Sequence, residues 1–367
     1  MLLFFMEISP LLKEKRLPEA GKMIPDISLP HPFEVSPVTE PCIREAISRK
    51  ETSFIMEFIF KKDKGLMMPR PVKTIMSLFL GMCLTAFAVA GCSLFHSTLP
   101  AVCRDHCFTD GRSSVTWIGH ATFLVRTAGV NILTDPMYER YIRYGIPVAK
   151  RFREPALPFA DLPRIDAVVI SHEHPDHMNG RTLSLLPKST PVIVPKGTGT
   201  PLRVMGFADV RELAWWEETR IGPVAVAAAP VKHGSLQCAG FVIRGKKVIF
   251  FAGDTVVVEG FSEIGKRFPV DLALLPIGDY RMRVNLFGLN RWLKRSQHMG
   301  PADVPAAIER LRCRKMIPMH WGTFSTQGIL SIGADKPAEE LRAVARERGL
   351  ERRIVILDFG EQYYLER

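Results

Sequence analysis

The run Ser171-His172-Glu173-His174-Pro175-Asp176-His177 follows directly on an apolar stretch, Asp166-Ala167-Val168-Val169-Ile170. Three histidines and an aspartate fall within the six positions from 172 to 177. Imidazole and carboxylate are the usual ligands of a hydrolytic zinc ion. One tetrahedral site cannot easily draw four ligands from so short a loop. The cluster therefore points to two adjacent metal sites, and to a fold that holds such a loop at the end of a strand. Two metals can hold a hydroxide and polarise the bond it attacks.

A chain of 367 residues, 47% of them hydrophobic, has material for one large domain or two modest ones. Its formal charge is +11, but the Lys and Arg residues are spread out, with no long basic run and no nucleic-acid motif. No nucleic-acid partner is expected. A basic surface of this kind suits anionic lipid or a phosphorylated substrate.

The amino-terminal region reads differently. An almost uncharged stretch runs from Ile75 to Ala90, with Arg70 and Lys73 before it and Gly91-Cys92-Ser93 after it. A basic segment, an apolar segment and small residues are the parts of a secretory signal. Val89-Ala90-Gly91-Cys92 resembles a bacterial lipobox, in which the cysteine is lipidated and becomes the mature amino terminus. The alternative is a single transmembrane anchor, for which the run is slightly short. A signal placed this far along the chain suggests a true start at Met67 or Met68. Residues 1–67 are then an unassigned extension, upstream of the real start or a disordered segment. The expected organisation is a lipoprotein signal over 68–92, a tether over 93–110 and a folded domain over 111–367. It places the protein in the bacterial cell envelope, lipid-anchored through Cys92 on the periplasmic side, with the outer membrane favoured. Of the remaining cysteines, Cys103 and Cys107 are close enough for a disulfide after export. Cys238 and Cys313 sit in apolar surroundings and read as buried packing residues.

From Gly111 onward, β-rich runs alternate with helical patterns. Residues 115–118, 123–126, 131–133, 167–170 and 192–194 form one group of expected strands; 224–229, 240–243 and 248–251 form a second. Short apolar runs follow at 272–275, 316–318 and 354–357. Residues 301–312 carry Pro in the first turn and Val304, Ile308 and Leu311 on one face, as a helix would; 337–348 repeat the pattern. Two β-rich groups, each with helices, favour two sheets packed face to face with helices outside.

Further candidate ligands stand at strand ends. His233 follows 224–231, Asp254 follows the run to Phe251, and His320 follows Met316-Ile317-Pro318-Met319. Donors held by rigid elements, with their tips reaching a common rim, make a preorganised metal site. A lone histidine after a strand is usually structural; the recurrence of this setting beside a dense cluster argues otherwise.

These residues carry a resemblance. The His-x-His-x-Asp-His motif, the later His233, Gly253-Asp254-Thr255 and His320 resemble the signature of the metallo-β-lactamase superfamily, over roughly residues 113–345. Gly119-His120-Ala121-Thr122, Leu133-Thr134-Asp135-Pro136, Gln297-His298-Met299 and His320-Trp321-Gly322-Thr323-Phe324 are similar to the N-acyl-phosphatidylethanolamine-hydrolysing phospholipase D branch. The ascorbate-6-phosphate lactonases are related. The resemblance implies a four-layer αββα sandwich and a zinc-dependent hydrolase. It implies that His172, His174 and His233 bind one zinc and Asp176, His177 and His320 a second, with Asp254 bridging; manganese(II) and iron(II) stay open as the metal. It also implies catalytic roles for Asp176 and Asp254 in orienting a metal-bridging hydroxide or taking its proton, and for His298 near the substrate phosphate.

Other assignments are weighed residue by residue. Glu173 alternates with the ligands and is expected to point away. Asp135 reads as a residue that orients a ligand histidine, and His120 as structural or as a contact of the same indirect kind. Trp215 and Trp216 read as wall and core residues. Residues 279–298 interleave cations with large apolar side chains. Arg281, Arg283 and Arg295 suit a phosphate there, while the apolar members suit acyl chains or a bilayer; the alternative is a solvated helix on the core. The chain departs from the resemblance in a shortened loop, Gly234-Ser235-Leu236-Gln237, in Asn179 where an aspartate is common, in Ala214, and in the length of 279–298. These departures touch the pocket and not the ligands. The expected activity is hydrolysis of a phospholipid-like phosphodiester, phospholipase D type. A lactonase or other carboxylic ester hydrolase, and a non-catalytic metal-binding envelope lipoprotein, are the alternatives.

Overall fold

The computed structural model describes residues 111–278, 283–286, 289–292, 298–325 and 336–365. All of them fall in the unit Thr74–Arg367. The signal, the lipobox with Cys92, the tether with Cys103 and Cys107, and Arg281 and Arg295 lie outside the described residues. Among the described residues, no helix is long and apolar enough to cross a membrane.

In chain order the strands are β1 (Ser114–Gly119), β2 (Thr122–Thr127), β3 (Val130–Thr134), β4 (Tyr141–Tyr144), β5 (Ile146–Arg151), β6 (Ala167–Val169), β7 (Val192–Pro195), β8 (Val210–Leu213), β9 (Glu218–Ile221), β10 (Val224–Ala229), β11 (Gly240–Arg244), β12 (Val248–Phe251), β13 (Leu272–Pro276), β14 (Arg283–Leu286), β15 (Leu289–Trp292), β16 (Lys315–Met319), β17 (Phe324–Ser325) and β18 (Gln362–Tyr364). The helices are α1 (Gly180–Ser184), α2 (Thr200–Val204), α3 (Gly260–Arg267), α4 (Val304–Leu311) and α5 (Lys336–Arg348).

Two large sheets result. One has seven strands in the order β18-β1-β2-β3-β6-β7-β8, and the other six in the order β16-β13-β12-β11-β10-β9. Successive side chains on a strand point to opposite faces. In the first sheet this sends Phe123, Val125, Ile132, Ala167, Val169 and Ile193 into a core shared with the second sheet. Leu124, Leu133, Val168, Val192 and Val194 face the other way, where Leu183 of α1 and Leu202 of α2 cover them. Both faces are apolar because both are buried. Phe261 and Ile264 of α3, Ile308 and Leu311 of α4, and Leu341 and Ala345 of α5 belong to the shared core cluster, on the second sheet's side. The layers are helix, sheet, sheet, helix.

Local chemistry sets the helix ends. Asn179 caps α1 by accepting from the Thr182 backbone N–H at 2.9 Å. Pro305 occupies the first turn of α4, and Arg312 closes that helix in the left-handed conformation at φ 51°. α5 begins one residue before the expected span.

The apolar run 354–357 contributes one isolated parallel bridge, Met316 to Ile354. Its neighbour in sequence, β18, pairs with β1 instead. The segment read alternatively as a solvated helix contains the antiparallel hairpin β14–β15. Finally, β4, β5 and β17 make a small separate sheet, formed by strands 173 positions apart at Arg151 and Phe324.

Trp117 sits where the core meets the loops that carry function. It is fully buried, lies 4.4 Å from the Phe359 ring and 5.0 Å from the Trp321 ring, and donates from Nε1 to the His120 carbonyl at 3.0 Å. Trp117→Ala empties that space and removes one of the two donors to the His120 carbonyl, leaving the His320 N–H. We expect a loss of about 3–5 kcal/mol of folding stability, read from urea denaturation.

Candidate metal centre

Within each sheet parallel pairing gives β3 and β6, and β12, β13 and β16, a common direction, and the contacts of Asp254 with His177 and His320 show that the carboxyl ends of the two sets meet. The loops leaving those ends carry Asp135, the 171–177 segment, Asp254 and His320. Side chains from distant parts of the sequence thereby meet at one edge of the sandwich.

Two adjacent groups of donors result. His172, His174, His233 and Asp254 form one, with ligand atoms within 4.8 Å of one another. His120, Asp176, His177 and His320 form the other to the same limit. Asp254 stands between them: its Oδ2 lies 3.2 Å from His177 Nε2 and 3.2 Å from His320 Nε2. All seven expected ligands are in these groups. His120 is an eighth member that the sequence placed only at the margin. His298 also reaches in, with Nε2 2.9 Å from Asp254 Oδ2.

A buried carboxylate sets the orientation of this edge. Asp135 accepts from the Ser171 backbone N–H at 2.7 Å, from Ser171 Oγ at 2.6 Å, and from His177 Nδ1 at 2.6 Å. The ordering fixes tautomers. With a metal bound, His177 would keep its proton on Nδ1 and turn a bare Nε2 into the site. Ser171 gives its hydroxyl proton to Asp135, so its oxygen accepts from His172 Nδ1 at 2.9 Å. His172 Nε2 is then bare as well. This is the indirect support that holds metal-binding histidines in place. His120 plays a matching part for Asp176, with Nε2 3.0 Å from Asp176 Oδ2. The edge of Phe324 rests on the His120 ring at 5.1 Å.

The backbone is equally constrained. His120 and His320 both adopt positive φ, 56° and 61°, and the His320 N–H donates to the His120 carbonyl at 3.1 Å. Thr323 Oγ1 accepts from the His120 N–H at 2.7 Å. Gly253 has φ +58°, and a Cβ there would lie 2.3 Å from Ser171 Cβ. At Gly278 a Cβ would meet the His320 carbonyl oxygen at 2.0 Å. Both positions require glycine.

The electrostatics call for cations. Burial disfavours charge on Asp176 and Asp254, yet the histidines around them hold both carboxyls well below the usual range. Burial likewise opposes charge on His177 and His320. The Asp254, Asp176 and Asp135 carboxylates outweigh it at His177, and Asp254 and Asp176 push His320 up to about 8. Burial dominates at His120, lowered to about 3, and at His172. His174 Nδ1 faces His172 Nε2 at 2.9 Å and His233 Nε2 at 3.1 Å, a convergence of ring nitrogens that a shared cation relieves. His177 Nε2 and Asp254 Oδ1 are buried and make no hydrogen bond. The donor set fits two metal ions: imidazoles and carboxylates, close-packed, with lone pairs turned inward.

Tyr144 and Leu236 leave exposed apolar surface beside two of the donors. Tyr144 places its ring 6.1 Å from His174 and is 56% exposed; Ile146, across the turn of the same hairpin, is 71% exposed. Leu236, at 38%, is in the turn closed by its own N–H to the His233 carbonyl. Trp215 is 53% exposed and donates from Nε1 to the Cys238 carbonyl at 3.0 Å. It is therefore exposed and not part of the core, whereas Trp216 packs against the core. Glu173 is exposed. Asn179 is the cap of α1. Cys238 and Cys313 are buried free thiols. Arg283 lies in β14.

Sequence reasoning passed over Ser171 and Tyr144. Adjacency to His172 was the available signal for Ser171. Tyr144 had none, since its place depends on the hairpin folding back over the loop of His174.

Comparison with known proteins agrees with this geometry. The family model of the beta-lactamase superfamily domain matches residues 130–321. The N-acyl-phosphatidylethanolamine-hydrolyzing phospholipase D 1 of Caenorhabditis elegans is 30% identical over 297 residues, covering 72% of this chain and 80% of that protein. The mitochondrial N-acyl-phosphatidylethanolamine-hydrolyzing phospholipase D of Saccharomyces cerevisiae is 29% identical over 266 residues, 67% of this chain but only 54% of the yeast protein. Among solved structures, an isothiocyanate hydrolase from Delia radicum gut bacteria superimposes with a TM-score of 0.55 at 24% identity, over 68% of this chain and 98% of that one. The chain belongs to the β-lactamase superfamily of metal-dependent hydrolases.

Two outcomes test the construction of the site. Asp135→Asn removes the acceptor that fixes His177; metal affinity should fall about 10–100-fold in competition with a chromogenic chelator. Gly253→Ala forces a side chain into a left-handed backbone against Ser171. The strain alone costs about 1–3 kcal/mol, so the thermal midpoint should drop together with bound metal.

Proposed function

We propose that this protein is a dinuclear zinc hydrolase that cleaves a phosphodiester bond in a phospholipid-like substrate, phospholipase D type. The observation that carries the reading is the meeting of two donor groups at Asp254, with the exposed Tyr144 ring 6.1 Å from His174. The kinship with two N-acyl-phosphatidylethanolamine-hydrolysing phospholipases supports the substrate class.

His172, His174 and His233 would hold one metal, and Asp176, His177 and His320 the other, with Asp254 between them. When bound, the metals supply Lewis acidity toward a phosphoryl oxygen and lower the pKa of water to near 7. The chain's own residues do the rest. Asp135 and Ser171 keep His177 and His172 turned inward. His120 steadies Asp176, which together with Asp254 is ionised and able to accept a proton. His298 stands at the edge of the cluster with its side chain 17% exposed. From there it can reach the leaving group, to stabilise charge or deliver a proton. Tyr144, Ile146, Leu236 and Trp215 give acyl chains an apolar approach, and Arg281, Arg283 and Arg295 are the proposed phosphate contacts. Lipidation at Cys92, on the strength of the motif Val89-Ala90-Gly91-Cys92, would keep the enzyme at the periplasmic side of a bacterial membrane, within reach of such a substrate.

Zinc-loaded protein should release phosphatidic acid from N-acylated or ordinary phosphatidylethanolamine, followed by mass spectrometry. Chelation should abolish the release, and His174→Ala should lower it by more than about 100-fold. Turnover of lactones or carboxylic esters without any phosphodiester cleavage would remove the substrate claim and leave the hydrolase.

A further inference from the structure

At the opposite end of the strands from the metal cluster lies a groove of about 780 Å³. Its walls come from the residues that lead into β12, β13 and β16, together with the β1–β18 edge: Lys247, Asp271, Arg314, Lys315, Arg112 and Tyr364. The metal donors leave the carboxyl ends of β12 and β16, so the two places are separated by the length of the sheet. Nothing in the hydrolytic reading uses this groove.

Its charge is one-sided. Among the described residues four cations line it against one carboxylate, and that carboxylate is already engaged. Asp271 Oδ2 accepts from the Val248 N–H at 2.9 Å, and Oδ1 lies 3.5 Å from Arg314 NH1. Among the described residues, neither Lys247 nor Lys315 has a carboxylate within ion-pair distance, although both are half-buried. Lys315 instead donates to the Arg352 carbonyl. Half-buried cations without counter-charge favour a bound anion.

The groove is also preorganised. The Arg112 guanidinium stacks on the Tyr364 ring at 3.7 Å. The Tyr364 hydroxyl donates to Gln362 Oε1 at 3.1 Å, and Gln362 Nε2 donates to Ser114 Oγ at 3.0 Å. A stacked guanidinium keeps its N–H edge in one plane, which is the geometry that suits phosphate oxygens. The volume lies in the range of small-molecule sites.

We propose that this groove is a second, non-catalytic site that binds a phosphate-bearing anion between Lys247, Lys315 and the stacked Arg112. The phosphate can belong to a small phosphate ester or to the headgroup of an anionic lipid.

The full chain, in detergent and stripped of metal with EDTA, is titrated calorimetrically with inorganic pyrophosphate and, in a second arm, with dihexanoyl phosphatidylglycerol below its micellar concentration. Wild type and His174→Ala should bind alike, because the metal cluster is not the site. The double variant Lys247→Gln/Lys315→Gln should bind at least tenfold more weakly, with an unchanged circular dichroism spectrum and phospholipase activity. Binding of pyrophosphate alone identifies a free phosphate ligand, and binding of the lipid identifies a headgroup. Equal binding by the double variant, loss of binding in His174→Ala, or no binding in either arm overturns the proposal. So does a circular dichroism change in the double variant if Lys247→Met alone, which keeps the apolar stem, folds and binds as wild type.

Discussion

One carboxylate, Asp135, holds the functional edge of this molecule together. It leaves the end of β3 and accepts three hydrogen bonds, two from Ser171 and one from His177. Those bonds lock the 171–177 loop to the neighbouring strand and decide which nitrogen of each histidine carries a proton. A buried carboxylate with this many donors has no cheap substitute. Without it, His177 would have no defined tautomer and His172 no oriented partner.

The frame that makes this possible is ordinary αββα packing. Parallel pairing at β3–β6 and β12–β13–β16 brings the carboxyl ends of strands to one side of each sheet. Each loop there needs only a residue or two to deliver a donor. Core and site share atoms in the process: the Trp117 indole that fills the space between the sheets also holds the His120 carbonyl.

Much of this was legible in the residues. Continuous apolar runs such as Val224–Ala229 and Val248–Phe251 announce buried strands, and the dense His/Asp loop announces metals. What stayed hidden was set by contacts over long distances or by elements too short to show a period. Helices α1 and α2, of five residues each, display little more than one turn. The hairpin β4–β5 carries Pro147 and several cations, and it is fastened by Arg151, which is buried and hydrogen-bonded to the carbonyls of Met137 and Glu139. No local pattern foretells such a residue. The pairing of His120 with Asp176 spans 56 positions. The apolar run 354–357 could not be assigned from its residues, because apolar content alone does not distinguish a strand from a run that packs against one.

The hydrogen bond from the His320 N–H to the His120 carbonyl joins a turn of one sheet to a strand end of the other. Each partner is a left-handed residue with little freedom to readjust. The two sheets therefore cannot slide past each other without pulling the donors of the site out of register. A metal held there acts as a rivet through both layers. Its affinity becomes a gauge of how well the whole sandwich is closed, and damage far out in the core would be felt first as loss of metal.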